Sequence, residues 1–312
     1  MKGFVILMLT ALCLLCSEST KGQCCAAGNP ITADGSAGGG GKNILEVQAL
    51  YKHSFSDTYY KGTSKSDYEY IDYSSFDFTS LRLAYGITER LKASVELGYF
   101  FSKTQTFVFG YDRSAHGIGD GVIGLQYNAW RNQEIQMDLF PYVRFTIPVG
   151  EFDQMNGPVV LPIDIQPSSG SYKYMLGALL SKRFSEGKVA VFIDGSAEFS
   201  QRINTERTNY KYGNLYNVSL YGSYKVFENL TAAVQFRSQT REKASNKNHE
   251  LVNATGGHVI FLTPQLRYNF FTFWNVSMIY EYPFYKNMNG TQLTNTYAVT
   301  ARLSRTINFN KH

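Results

Sequence analysis

The stretch NILEVQALYKHSF, residues 43–55, decides the fold. Apolar residues occupy almost every second position in it, and the positions between them carry polar residues such as Glu46, Gln48 and Lys52. Ile44 and Leu50 are the two exceptions. Alternation with a period of two over this length is typical of a β-strand that has one apolar face and one polar face.

The same alternation returns along the rest of the chain, and it predicts twelve strands. Their predicted ranges are 43–55, 76–87, 91–102, 119–130, 135–147, 172–182, 188–200, 214–226, 230–240, 258–269, 273–283 and 293–309. The connections at 88–90, 131–134, 183–187, 227–229 and 270–272 are short. Those at 56–75, 103–118, 148–171, 201–213, 241–257 and 284–292 are longer and polar or rich in glycine.

Short and long connections alternate in this prediction, as they do in outer-membrane barrels with short periplasmic turns and long external loops. An even number of strands also places both ends of the barrel segment on the same side of the membrane. The sequence therefore predicts an all-β fold, a transmembrane antiparallel up-and-down β-barrel of about twelve strands over residues 43–309. Residues 310–312 would form a short tail.

The distribution of charge separates the two faces of the predicted strands. Seventeen charged residues fall on the polar face: Glu46, Lys52, Arg82, Lys92, Glu96, Asp120, Asp138, Arg144, Lys173, Lys188, Asp194, Glu198, Lys225, Arg237, Arg267, Glu281 and Arg302. Only Asp77, Lys182 and Arg305 fall on the apolar face, and all three are near predicted strand ends. A charge facing lipid at the bilayer midplane costs ~2–4 kcal/mol, so this asymmetry favours a membrane barrel over a soluble sandwich.

Composition excludes several other classes of protein. The mean hydropathy of the 312 residues is -0.24, and no stretch of the predicted barrel approaches the ~20 apolar residues of a membrane-spanning helix. With 23 Tyr and 22 Phe the chain has too much apolar surface to stay disordered. The formal net charge of +5 is spread along the chain without a basic cluster, so we expect no nucleic-acid partner.

The N-terminus reads as an export signal. Lys2 precedes a short apolar core, Phe4 to Cys16, and small polar residues follow it. This pattern predicts a signal peptide over residues 1–22, cleaved after Ser19 or Gly22. Residues 23–42 then form a Gly-rich leader, too rich in glycine to fold alone. Its adjacent cysteines, Cys24 and Cys25, allow two interpretations: a mobile tail whose cysteines do little for stability, or a thiol pair that bonds to a partner or anchors the terminus.

The polar face of the strands predicts the lining of the bore. The candidate residues are Glu46, Arg82, Glu96, Phe100, Asp120, Asp138, Phe140, Tyr142, Arg144, Phe192, Asp194, Glu198, Tyr221, Arg237, Phe261, Arg267, Glu281 and Arg302. One interpretation is that the charges pair across the interior and fill it, and the other is a charged path for a solute. A lining that mixes aromatic rings with charges suits an amphipathic or aromatic solute. We expect the leader 23–42 to lie partly inside the bore as a plug.

Three segments carry a resemblance to a known family. YGITERL (85–91), GIGDGVIGLQY (117–127) and PYVRFTIPVG (141–150) resemble the outer-membrane family named for the MetA pathway of phenol degradation, which is related to the long-chain-fatty-acid and aromatic-hydrocarbon channels. The resemblance implies a β-barrel in the outer membrane of a Gram-negative bacterium and a role in uptake of hydrophobic compounds. It implies no catalytic residue and no cofactor.

Two rival functions are also compatible with the sequence. One is a structural or general-diffusion barrel, and the other is an outer-membrane lipid hydrolase, which needs a serine activated by a histidine. Ser114 and His116 are neighbours in sequence but do not form a recognisable catalytic motif, and no metal-binding motif occurs. The expected partners are outer-membrane lipid, a small hydrophobic solute and, during biogenesis, the barrel-assembly machinery, because the last predicted strand is amphipathic and carries Phe309 near its end.

Overall fold

The computed structural model of the protein describes residues 41–68 and 70–310. Within them, eleven long strands form one antiparallel sheet. They are β1 (Ile44–Gly62), β2 (Ile71–Gly86), β3 (Leu91–Phe107), β4 (Asp112–Tyr127), β5 (Met137–Ile147), β6 (Lys173–Phe184), β7 (Val189–Ser200), β8 (Leu215–Phe227), β9 (Leu230–Arg241), β10 (Gly257–Phe271) and β11 (Trp274–Asn308). The predicted signal peptide 1–22 and residues 23–40 of the leader, with Cys24 and Cys25, lie outside the described residues.

The sheet closes on itself. Each strand pairs with the strand before it and the strand after it in the chain, and the end of β11 pairs with β1 from Ile44↔Asn308 onward. This is an up-and-down barrel, so the predicted closed antiparallel architecture is confirmed. No helix among residues 41–68 and 70–310 is long and apolar enough to cross a membrane.

Strand β11 passes through the wall twice. Its 35 residues would span roughly 115 Å if straight, several times the height of a membrane barrel. The part from Trp274 to Met288 pairs with β10, and the part from Thr291 to Asn308 pairs with β1. Gly290, with φ +67°, lies where the chain reverses. Ten strands that pass once and one that passes twice make twelve passes, the even number that a fully antiparallel ring needs. The two passes predicted at 273–283 and 293–309 are therefore both present, but the predicted long loop 284–292 between them is wrong, since strand pairing continues up to the reversal.

Two other predicted long loops are also largely strand. The predicted loop 56–75 shrinks to 63–70, and the predicted loop 103–118 shrinks to the four residues 108–111. The sequence there lacks apolar alternation, yet polar partners continue the ladder, as where Thr104 and Ser114 share a hydrogen bond of 3.0 Å. Apolar alternation marks the part of a strand that faces lipid, so it underestimates strands that extend above the membrane.

The predicted alternation of short and long connections holds only in part. At the end of the barrel that carries both termini, four connections have two to four residues, but the one between β4 and β5 has nine and includes a short strand, Trp130–Asn132. At the opposite end, the mouth, the loops 148–172, 201–214 and 242–256 are long. These three loops adjoin the shorter strands β5 to β9. They therefore lie above the side of the barrel where the wall is lower.

The outer face is apolar and exposed along the middle of the strands. Leu81, Val95 and Val218 are each at least half exposed, at 50%, 50% and 61%. Exposed aromatic residues form one ring near the turns and another nearer the mouth. The first includes Tyr85, Tyr127, Tyr224, Tyr268, Phe271 and Phe273, and the second includes Phe101, Phe145, Tyr174, Tyr216, Phe236 and Tyr282. Aromatic girdles flanking an apolar band are typical of barrels in the outer membrane.

The three charges predicted on this face lie where a membrane barrel tolerates them. Lys182 and Arg305 are near the turn end of the wall, and the Arg305 guanidinium lies 5.0 Å from the centre of the Trp274 ring. Asp77 is nearer the mouth and accepts hydrogen bonds from Tyr51 Oη, 2.6 Å, and Ser102 Oγ, 3.0 Å. Each is therefore at a level where polar groups contact headgroups or water.

Candidate functional site

The residues predicted to face the bore lie on the buried or half-buried inner side of the wall, opposite the exposed apolar face. The alternation of side chains along a strand places them there. The interior that they face contains both filled and open regions.

A buried ion triad fills one part of the interior. The Glu281 carboxylate accepts a hydrogen bond from Lys52 Nζ at 2.7 Å and another from Arg237 Nη2 at 2.8 Å. All three side chains are at most 5% exposed. The triad joins β1, β9 and the first pass of β11. Here the interior charges pair with one another.

Two further acidic residues of the predicted set are paired nearer the turn end. Glu46 receives a bond of 2.9 Å from Lys92. Asp138 is 1% exposed and is bound by Arg131 at 2.9 Å and by Arg183 at 3.1 Å. These pairs tie neighbouring strands and turns together.

An apolar cluster fills the interior beside β5 to β8. Phe140, Leu179, Phe192 and Tyr221 pack together, with the Phe192 and Tyr221 rings 5.3 Å apart. Directly above it, Tyr142 Oη donates to Asp194 at 3.0 Å. The Tyr142 ring lies over Gly177, where a Cβ would come within 2.4 Å of the ring. A glycine on β6 is thus required for the ring to occupy this place.

The open region is a cavity of about 270 Å³ between these filled parts and the mouth. Eight residues of the predicted set line it: Arg82, Glu96, Phe100, Asp120, Arg144, Glu198, Arg237 and Arg302. The other ten do not: Glu46, Asp138, Phe140, Tyr142, Phe192, Asp194, Tyr221, Phe261, Arg267 and Glu281. Most side chains of this second group pack together or form ion pairs in the filled parts of the interior, and their role in lining a path for a solute stays a prediction.

Loop 148–172, which we call the mouth loop, enters the bore and covers the cavity. Its residues Ile163, Asp164, Gln166, Pro167 and Ser169 line the cavity directly. Leu161 and Ile165 are buried against the wall at Ala115. The sequence carried a signal for this, because Leu161, Ile163 and Ile165 are apolar residues in a segment predicted to be a polar loop.

Polar contacts anchor the mouth loop to the wall. Asp120 Oδ1 accepts hydrogen bonds from Ser168 Oγ at 2.7 Å and from the Ser169 backbone N–H at 2.9 Å. Lys103 Nζ donates to the Gln166 carbonyl at 2.8 Å. The mouth loop therefore fills part of the bore, and the plug role of the leader 23–42, which lies almost wholly outside the described residues, stays a prediction.

Two titratable groups of the loops are perturbed by burial. Burial raises the pKa of the Asp164 carboxyl, an effect that a hydrogen bond from Gln105 and the nearby charge of Lys103 only partly offset. Burial also raises the pKa of the Tyr212 hydroxyl, which donates to the Ser169 carbonyl at 3.1 Å. Both groups lie at the roof of the cavity.

The described histidines do not assemble a complete hydrolytic site. The predicted neighbours Ser114 and His116 are not hydrogen-bonded to each other, and Ser114 contacts Thr104 instead. On the outer face, Ser238 Oγ lies 2.9 Å from His258 Nε2. Within residues 41–68 and 70–310, no side chain hydrogen-bonds the other ring nitrogen of His258 to orient it. In the same part of the chain, no group of three or more His, Cys, Asp or Glu residues is arranged to hold a metal ion.

The architecture defines the class. A closed antiparallel barrel with an exposed apolar belt, aromatic girdles and a charged interior is the architecture of outer-membrane β-barrels. The chain belongs to the family described as putative MetA-pathway of phenol degradation, whose model matches residues 63–278. The resemblance inferred from the three sequence segments is thereby confirmed.

Solved structures support the fold. An outer membrane channel from Pseudomonas putida is similar with a TM-score of 0.69 and 17% sequence identity, over 85% of this chain and 96% of that chain. The β-domain of the Bordetella autotransporter BrkA is similar with a TM-score of 0.51 and 8% identity, over 85% of this chain and 100% of that chain. At these identities the similarity concerns the fold alone. A comparison with curated proteins finds no match.

Proposed function

We propose that this protein is an outer-membrane channel that takes up small hydrophobic or aromatic compounds through its lumen. The observation that carries the proposal is the cavity of about 270 Å³ within the closed wall, where rings such as Phe78 and Phe100 face the same space as charged groups. A cavity of this kind holds a small molecule with an apolar body and a polar end. Membership of the phenol-degradation family and the similarity to a channel of Pseudomonas putida agree with this role.

The proposal includes a location and partners. The exposed apolar belt requires lipid around the barrel, and the predicted signal peptide 1–22 would direct the chain across the inner membrane of a Gram-negative bacterium. The barrel-assembly machinery would then insert it, using the amphipathic last pass of β11 that ends near Phe309. The protein would act without a cofactor and without catalysis.

A pair of bulky substitutions tests transport through the lumen. Val122 lines the cavity, whereas Ile123, the next residue of β4, faces outward and is 47% exposed. Tryptophan at Val122 should narrow the cavity and reduce both single-channel conductance and growth on an aromatic carbon source supplied at low concentration. Tryptophan at Ile123 adds a similar volume to the lipid face and should leave both unchanged.

The comparison also separates the rival functions. Gel mobility with and without boiling shows that each variant has folded, since folded barrels migrate differently from unfolded chains. If Val122→Trp and wild type take up the compound equally well, the lumen is not the route and the proposal fails. A conductance that passes sugars as readily as aromatic compounds would instead indicate a general-diffusion barrel.

A further inference from the structure

The cavity is richer in cations than in carboxylates. Seven basic residues line it: Arg82, Lys103, Arg144, Lys173, Arg237, Arg241 and Arg302. Four acidic residues line it: Glu96, Asp120, Asp164 and Glu198. The interior of a closed barrel screens these charges less than bulk water does, so the excess raises the local concentration of anions.

Several of these charged side chains already bind other groups of the protein. Only a few of them are therefore available to a ligand. Arg237 is held by Glu281, and Lys103 is held by the Gln166 carbonyl of the mouth loop. Asp120 accepts the two hydrogen bonds of the loop anchor, and Asp164 accepts one from Gln105. These groups have structural partners.

Arg82 and Arg144 are different. Neither side chain makes a hydrogen bond, or an ion pair within 4.0 Å, to another residue of the described ranges 41–68 and 70–310. The Arg144 guanidinium lies 5.1 Å from the centre of the Tyr142 ring. This contact with the ring leaves the guanidinium N–H donors available. The positive charges of Arg82 and Arg144 repel each other, while the carboxylates of Glu96 and Asp194 attract Arg144. Both side chains are half-buried and lack a hydrogen-bond acceptor among the described residues, so a bound anion would offset the cost of their desolvation.

The wall between the two arginines carries small residues beside Glu96 and Val122. Arg82 is on β2 and Arg144 is on β5, and the inward positions between them include Ser94 on β3 and Gly124 on β4. A Cβ at Gly124 would come within 2.7 Å of Ser94 Oγ and 3.5 Å of Arg144 Cγ. Gly124 thus leaves room for the Arg144 side chain to lie along the wall, and the small residues leave space between the guanidinium groups.

An aromatic surface lies next to this basic pair. The Phe78 and Phe100 rings are 4.7 Å apart and both line the cavity. On β2 only one inward residue, Ser80, separates Phe78 from Arg82. A Cβ at Gly98 would lie 2.3 Å from the Phe78 ring, so a glycine is needed for the ring to rest there.

Glu96 and Glu198 are carboxylates in the cavity that would compete with a bound anion for the arginines. Glu96 is the cross-strand neighbour of Arg82, yet no ion pair within 4.0 Å joins the two side chains in the described structure. A guanidinium binds a carboxylate through two parallel hydrogen bonds, which a planar, anionic ligand group can supply from within the cavity.

We infer that the cavity binds small aromatic carboxylates, with the ring against Phe78 and Phe100 and the carboxylate between Arg82 and Arg144. The inference rests on the proposed function and specifies its substrate class. It also predicts discrimination between compounds of similar size, because an uncharged alcohol cannot satisfy the two guanidinium groups.

Binding to the full-length folded barrel in detergent tests this directly, with benzoate and benzyl alcohol as probes and titration calorimetry as the measurement. Benzoate should bind at least tenfold more tightly than benzyl alcohol. Arg144→Gln and Arg82→Gln should each weaken benzoate binding about tenfold or more, the usual effect of losing a hydrogen bond between charged groups. Benzyl alcohol should bind the variants and wild type alike. Arg305→Gln removes the same charge from the outer face and should have no effect on either probe.

Ion selectivity gives a second readout that does not depend on benzoate. In a planar bilayer with a potassium chloride gradient, the reversal potential of the wild type should show a preference for chloride, and Arg82→Gln should reduce it. If Arg144→Gln does not fold, Arg82→Gln and Arg144→Lys, which keeps the charge but loses the planar fork, answer the same question.

Three results would overturn the inference: equal binding of the two probes, loss of benzoate binding in Arg305→Gln as large as in Arg82→Gln, or a preference for potassium. Any of them leaves the Val122→Trp test of uptake untouched, so a channel for uncharged compounds remains distinguishable from no channel at all.

Discussion

Asp120 fastens the mouth loop to the wall, and its replacement by alanine is expected to release that loop. One carboxylate oxygen accepts two hydrogen bonds, from Ser168 Oγ at 2.7 Å and from the Ser169 N–H at 2.9 Å. Both donors belong to the segment that lies across the cavity. Asp120→Ala removes the acceptor of both bonds. It adds no bulk to β4, where the neighbours of residue 120 are Gly119 and Gly121.

The magnitude follows from the two bonds. A hydrogen bond to a charged acceptor contributes about 1.5–3 kcal/mol, and the lower figure applies because the site is only half-buried. Two bonds then amount to about 3 kcal/mol. Since each 1.4 kcal/mol is a factor of ten, the ratio of docked to undocked loop should fall roughly a hundredfold. Contacts of Leu161 and Ile165 with Ala115 would remain and limit the release.

Single-channel recording measures this release. Relative to wild type, Asp120→Ala should increase the time that the channel spends fully open, or increase its fully open conductance. Glu96→Ala is the matched control, because it removes a carboxylate from the same cavity without touching the mouth loop. If both variants change conductance equally, the effect is one of charge alone and the anchoring role of Asp120 is refuted.

Three further outcomes follow from interior packing and from the loop. Glu281→Ala leaves two buried cations without their partner and should lower the free energy of unfolding by about 3–5 kcal/mol in urea titration, whereas Glu228→Ala in the exposed pair with Lys225 should change nothing measurable. Gly177→Ala places a Cβ against the Tyr142 ring and should cost about 1–3 kcal/mol in the same titration, while Gly195→Ala, whose Cβ would have no atom within 4 Å, should be tolerated; equal losses would refute the packing argument. Burial raises the pKa of Asp164 above its ordinary value of 3.8, so the docked loop is most stable below that value and loses stability as the pH rises through the raised one. Channel opening should therefore increase with pH, Asp164→Asn should remove the dependence, and a wild-type channel indifferent to pH would contradict it.

The barrel was predictable because lipid imposes a strict rule on side chains. Every second residue must be apolar where a strand crosses the membrane, so the alternation in residues 43–55 and its repeats identified the wall and its inward face. Outside the membrane that rule lapses. For this reason the extensions of β1 to Gly62 and of β3 to Phe107, and the continuous course of β11 through 284–292, left no apolar pattern in the sequence.

The sequence predicted which face of the strands points into the barrel, but not which of its residues form the functional site. Parity placed Arg82, Arg144 and Glu281 inside the barrel alike, but their roles differ because of partners that lie far away in sequence. Glu281 meets Lys52 across 229 residues, whereas Arg82 and Arg144 find no such acceptor among the described residues. The entry of the mouth loop likewise depends on tertiary contacts, since a loop has no periodicity that announces where it packs.

The central claim is that successive residues of a strand face lipid and the water-containing interior in turn. The accessibility of spin labels tests this claim most directly. Labels would be attached at single cysteines introduced at Leu81, Arg82, Leu83, Val122 and Ile123, with the four native cysteines replaced by serine. In liposomes, collisions with oxygen should dominate at 81, 83 and 123, and collisions with a water-soluble nickel complex should dominate at 82 and 122. Equal access of the nickel complex to both sets of positions would contradict the account.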